Sequence, residues 1–186
     1  LFREDPKSFN ALAEKLTAAI TAYLNMQIIA GVDALQIFDS HGGLLAADEF
    51  QEASGRWMRD IVTELVDSKV TNPSPGAGAP PSPRRTERGQ GEGSVPVIVF
   101  SLGTHGNWDD LINTGANVIG IDWQFSLAQA RKLIPESIGL QGNLSPTLIA
   151  EATPEVVARE TRAVLEAMRG RPGHIFNLGH GILQHT

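Results

Sequence analysis

Five apolar runs recur along this sequence, "VDALQIF", "VPVIVFS", "NVIGIDW", "SIGLQGN" and "HIFNLGHG", each separated from the next by a stretch with helical character. None shows the period-two alternation of a strand with one wet face, so all suit strands covered on both sides. Strict alternation of strand and helix demands right-handed crossovers, and therefore a parallel sheet. The fold class is α/β. Periodicity alone leaves two architectures open, a doubly wound sheet and a barrel.

The helical stretches carry their own start signals. Asp5-Pro6 offers a capping carboxylate followed by a residue preset for the first turn, and Leu12, Leu16, Ile20, Leu24 and Ile28 then recur every fourth residue. This predicts a long amphipathic helix ending near Gly31. A second helix, with Phe50, Trp57, Ile61 and Leu65 inward, follows the first strand. Further helices are expected around Trp108 to Asn113, from near Ser126, and from Thr153-Pro154.

Between Val70 and the second strand lies "TNPSPGAGAPPSPRRTERGQGEGS", rich in Pro, Gly, Ser and charge, with too few large apolar side chains to offset the entropy of ordering. A domain boundary is one reading. The alternation resumes beyond it in the same style, which favours residues 1–186 as a single domain with a flexible Pro/Gly-rich insertion at 71–94.

The strands share a second property. "IFDSHGG", "IGIDW", "GLQGN" and "NLGHG" each place an acid, amide, hydroxyl or imidazole just after the apolar run, and "VIVFSLGTHGN" does so more gradually. In a parallel α/β fold these ends lie on one face, where such folds build their sites. Asp39, Ser40 and His41 are thereby expected near a shared pocket. Taken singly, Ser40 equally suits a bond to backbone at the strand end, Asp39 suits a turn, and His41 suits the surface. His180 stands between two glycines, which fits either a tight turn or a close approach to ligand. Asp109-Asp110 reads as the charged first turn of a helix.

Composition removes several classes. The absence of cysteine excludes disulfides, thiolate zinc sites and cysteine nucleophiles. A net charge of -6 argues against broad nucleic-acid binding, and no apolar run is long enough for a membrane span. Neither a nucleotide-phosphate loop nor a metal-ligand spacing is present. The charged N-terminal residues do not read as a signal peptide, so a cytoplasmic protein is expected.

The segments "QIFDSHGGLL", "VIGIDW", "LQGNLSP" and "HIFNLGHGI", with "YLNMQIIAGVDALQ" before them, resemble the uroporphyrinogen decarboxylase family in sequence and in order. The resemblance implies a (β/α)8 TIM barrel, of which this chain carries the later strands and helices. It implies removal of the four acetate carboxyl groups of uroporphyrinogen to give coproporphyrinogen, without metal or organic cofactor, in a protein that is a homodimer at full length.

Residue by residue, Ser40 matches the family's substrate-contacting Ser or Thr, Phe38 an apolar residue lining the cleft, and His180 the substrate-binding histidine. Asp39, Asp122 and Gln141 resemble pocket or scaffold residues. The family's arginine pair, its pyrrole-binding aspartate and its tyrosine all precede the matched region, and Tyr23 does not match that tyrosine. The catalytic groups are thus expected outside this chain, which is expected not to turn over alone. Two rivals stand beside this reading: a non-catalytic or decayed partial barrel, and a metal-free relative of the corrinoid-dependent methyltransferases, whose zinc-thiol chemistry needs the cysteine this chain lacks.

Overall fold

The computed structural model describes residues 1–67 and 94–186. The expected insertion at 71–94 falls, up to residue 93, outside the described residues. On either side of it, strands β1 (Leu35–Asp39) and β2 (Val97–Ser101) pair directly and in parallel, so the two flanks belong to one sheet. Strands β3 (Val118–Gly120), β4 (Gly139–Leu144) and β5 (His174–Leu178) continue it. The order is β1-β2-β3-β4-β5 with every pairing parallel.

That order decides between the two architectures. A doubly wound sheet reverses direction at a switch point, whereas a barrel adds each new strand beside the last. The sheet advances one way only, with β1 and β5 as open edges among the described residues. The fold is an arc of a β/α barrel.

Each strand divides its side chains between two faces. Leu35, Ile37, Val97, Val99, Ile119 and Leu140 point to the helices and form the buried core. Gln36, Phe38, Phe100, Gly120 and Gln141 occupy alternate positions on the concave face. On the helical side, α3 (Arg56–Asp67) contributes Met58, Ile61, Val62 and Leu65 to the core. It continues from a short α2 (Ala47–Phe50) through a π-helical turn at Gln51–Gly55, and Phe50 is buried as expected. Trp57, expected inward, is only half buried, and the Arg56 guanidinium lies 4.3 Å from its ring centre.

Helix α1 (Pro6–Ala30) begins and ends where the sequence says. The Asp5 carboxylate accepts the Ser8 amide, and Gly31 closes the helix at φ 93. Its buried face differs from the expected stripe: Thr17, Thr21, Leu24 and Ile28 are inside, while Leu12, Leu16 and Ile20 face outward. The reason is arithmetic. Each step of four residues advances the helix about 40° beyond a full turn, so a stripe from Leu12 to Ile28 winds through about 160° and cannot all face one surface.

The remaining helices are α4 (Trp108–Ile112), α5 (Leu127–Leu133), α6 (Pro146–Glu151) and α7 (Pro154–Ala167). Of these, α6 was not foreseen. It is a single turn and a half opened by Ser145-Pro146, too short to show a periodicity.

Candidate functional site

The concave face and the C-terminal strand ends enclose an open cleft of about 460 Å³. Gln36, Phe38 and Ser40 line it from β1 and the residue after it. Phe100, Gly120, Ile121 and Gln141 come from β2, β3 and β4, and Asn177, Leu178, His180 and Ile182 from β5 and its trailing loop. No Asp, Glu, Lys or Arg side chain is among the described lining residues.

Two glycines shape this cleft. Gly120 sits in register with Phe100 and Gln141, and a β-carbon there would lie 2.8 Å from Phe100 Cδ2. The missing side chain leaves room for the Phe100 ring, which meets Phe38 edge-on at 6.1 Å and His180 at 6.4 Å. Gly179 lets the loop after β5 press against the end of β3, which sets the His180 ring 5.9 Å from Trp123.

The structure places His180 and Ser40 at the cleft. Both are exposed to the cleft, and neither the imidazole nitrogens nor the hydroxyl has a hydrogen-bond partner among the described residues. Ser40 does not satisfy strand-end backbone. His41, at the surface beside it, does not line the cleft.

The two aspartates are placed elsewhere. Asp39 turns away from the cleft: Oδ2 accepts the hydroxyls of Ser54 (2.7 Å) and Ser101 (3.0 Å), and Oδ1 accepts the His41 amide (3.1 Å). Gly42 makes this possible, since a β-carbon there would fall 2.5 Å from Asp39 Oδ2 and 2.2 Å from Ser101 Oγ. Asp122 is 2% exposed and also lies outside the cleft lining. Its Oδ2 takes the Gly103 amide and His105 Nε2, each at 2.8 Å, and its Oδ1 takes the Gln124 amide at 2.8 Å. Both carboxylates hold the loops that rim the cleft. A carboxylate with several acceptor sites suits a place where backbone amides converge.

Gln141 does line the cleft, and its Nε2 donates to Gln36 Oε1 at 3.3 Å. Gln36 and Asn177 were missed by sequence reasoning, although a signal existed for the first. Counting back by two from Ser40 through Phe38 reaches Gln36 on the same face. Among the described residues no group of three or more His, Asp or Glu is arranged to hold a metal ion, and no helix is long and apolar enough to cross a membrane.

The comparisons with known proteins bear on the fold and the family. The structure resembles a methyltransferase from Methanosarcina mazei with a TM-score of 0.66, covering 95% of this chain and 48% of that one. At 18% identity the likeness speaks for the barrel fold alone. Curated uroporphyrinogen decarboxylases are nearer in sequence: 38% identity over 180 residues for that of Pseudomonas savastanoi pv. phaseolicola, and 37% over 177 for that of Magnetococcus marinus. The chain spans 44% of the length of each of these relatives, while 96% and 95% of its own length is matched. The family model described as uroporphyrinogen decarboxylase matches residues 1–186, and the chain belongs to that family.

Proposed function

We propose that the cleft forms part of a site for uroporphyrinogen decarboxylation, with Ser40 and His180 as anchors for the carboxylate arms of the substrate and Phe38 as an apolar support for the macrocycle. The observation that carries this reading is the position of Ser40 and His180. They come from opposite edges of the sheet, face one cleft, and have no hydrogen-bond partner among the described residues.

The chemistry asks for such anchors. Protonation of a pyrrole carbon turns the ring into an electron sink; the bond to the carboxylate then breaks, carbon dioxide leaves, and the electron pair enters the ring. A second protonation, at the exocyclic carbon, makes the former acetate arm a methyl group, and loss of the first proton from the ring carbon restores the aromatic pyrrole. Four such rounds require that the substrate be held by its periphery while the reacting arm changes. Positioning is therefore the share of the work that Ser40 and His180 can supply.

The described lining residues include no Asp or Glu, so the cleft is assigned positioning rather than proton donation. On this reading the protein acts in haem and tetrapyrrole synthesis, as a cytoplasmic homodimer that uses no nucleic acid or membrane partner. His180→Ala in the protein at its native length should lower kcat/KM for coproporphyrinogen formation at least tenfold. An unchanged value would remove His180 from the site.

A further inference from the structure

The Gln36–Gln141 contact joins strands that are not neighbours. Two strands, β2 and β3, lie between β1 and β4, yet the two amides meet at 3.3 Å across the concave face. The curvature of the sheet brings them together. The pair thereby closes the floor of the cleft.

Each amide uses one polar atom in this contact. Gln36 Nε2 and Gln141 Oε1 take no partner among the described residues, and both side chains line the cleft. Gln141 is nearly buried as a residue, yet its Oε1 is not among the buried atoms that lack a partner, so it stays open to the cleft, where water or a ligand group can bond it. A donor and an acceptor stand side by side, without a formal charge on any neighbouring lining residue.

We propose that the Gln36–Gln141 pair is a specificity-determining floor, which holds one carboxylate-bearing arm of the ligand by a neutral hydrogen bond and tolerates the methyl group left once that arm loses its carboxylate. The proposal rests on the decarboxylase reading above. An arginine in this position would bind an acetate arm strongly and be left as a desolvated, unpaired cation once the arm became a methyl group. A neutral amide pair loses far less, because its free donor and acceptor can turn to water or to each other. Substrate and partly decarboxylated intermediates can then occupy the same floor.

The test uses the protein at its native length, with Gln36→Glu, Gln141→Glu and Gln141→Met, and two substrates: octacarboxylate uroporphyrinogen and the pentacarboxylate that retains one acetate arm. A glutamate on the floor should repel a carboxylate-bearing arm, so kcat/KM falls tenfold or more for the octacarboxylate and at least threefold less for the pentacarboxylate. Gln141→Met, which keeps the length and removes the amide, should lower the octacarboxylate value severalfold and the pentacarboxylate value less. Equal losses for both substrates in the glutamate variants, or no loss, would overturn the proposal. If those variants fail to fold, as read by thermal unfolding, Gln141→Met decides alone, and wild-type kinetics would then reject the idea.

A wild-type protein that converts neither substrate would instead sink the decarboxylase reading. In that event, quenching of tryptophan fluorescence by uroporphyrin and by coproporphyrin tests the pair through binding. The glutamate variants should lose affinity mainly for the octacarboxylate, and an equal effect on both would count against the floor.

Discussion

Gly179 packs so closely on Trp123 that a β-carbon at residue 179 would lie 2.2 Å from the Trp123 amide nitrogen. The obstacle is backbone, which cannot swing aside, so any side chain must push the loop after β5 away from the end of β3. His180 would move with it. Gly179→Ala should therefore cost about 1–3 kcal/mol of stability, as overpacking does, and lower turnover as His180→Ala does. The exposed His180→Ala should change stability by less than about 0.5 kcal/mol. Urea unfolding beside steady-state rates separates the two, and a Gly179→Ala protein with wild-type turnover would show that the close approach does not set the histidine.

The sheet was legible in the sequence because its strands are predominantly apolar and end at polar clusters, so all five could be placed without contacts. The site was legible only in part. Asp39 and Asp122 have the composition of pocket residues, and nothing in a linear pattern says that Ser54, Ser101 and the Gly103 amide converge on them instead. That convergence depends on loops meeting across neighbouring strands. Gln141 was named from the resemblance, but its meeting with Gln36 was hidden for a related reason, since it depends on the curvature of the sheet.

Asp122 gives a direct test of a carboxylate that serves the loops. Its Oδ2 accepts from both the Gly103 amide and His105, and an asparagine cannot accept on both sides. Asp122→Asn should leave a converging N–H unsatisfied and cost about 2–3 kcal/mol. His105→Ala removes one donor and leaves the two backbone bonds intact, so its cost should be smaller. Equal losses in chemical denaturation would mean that Asp122 acts through His105 alone.

Arg131 plays the same part for the connection between α5 and β4. Its guanidinium is 7% exposed and donates to the carbonyls of Ile134, Pro135 and Ile138, while burial pulls its pKa below the ordinary arginine value. Arg131→Met should cost about 2–4 kcal/mol, because three carbonyls lose their donor in a place water reaches poorly. Arg131→Lys should recover only part of this, since an ammonium cannot reproduce the planar fork. A lysine variant with wild-type stability would show that charge alone is needed there.

The N-terminal residues are held to the start of α2 by a two-pronged ion pair, Arg3 Nε and Nη2 each 2.6 Å from a Glu49 oxygen. Glu49 Oε2 also accepts the Ala46 amide at 3.2 Å. The hydrogen bonds from Arg3 hold the Glu49 carboxyl below its ordinary range, and Glu49 in turn raises the arginine. A depressed carboxylate stabilises the fold above its unfolded pKa, and that contribution is lost as pH falls through the folded value. The loss therefore begins near the ordinary glutamate range, about pH 4.3, and is complete only below it. Because the pair is exposed, the effect should be small and should fade with added salt. Unfolding curves from pH 6 down to pH 3 should show a steeper decline for wild type than for Arg3→Ala at low ionic strength, and the two should converge at high salt. Parallel curves at low salt would mean that the ion pair adds nothing to stability.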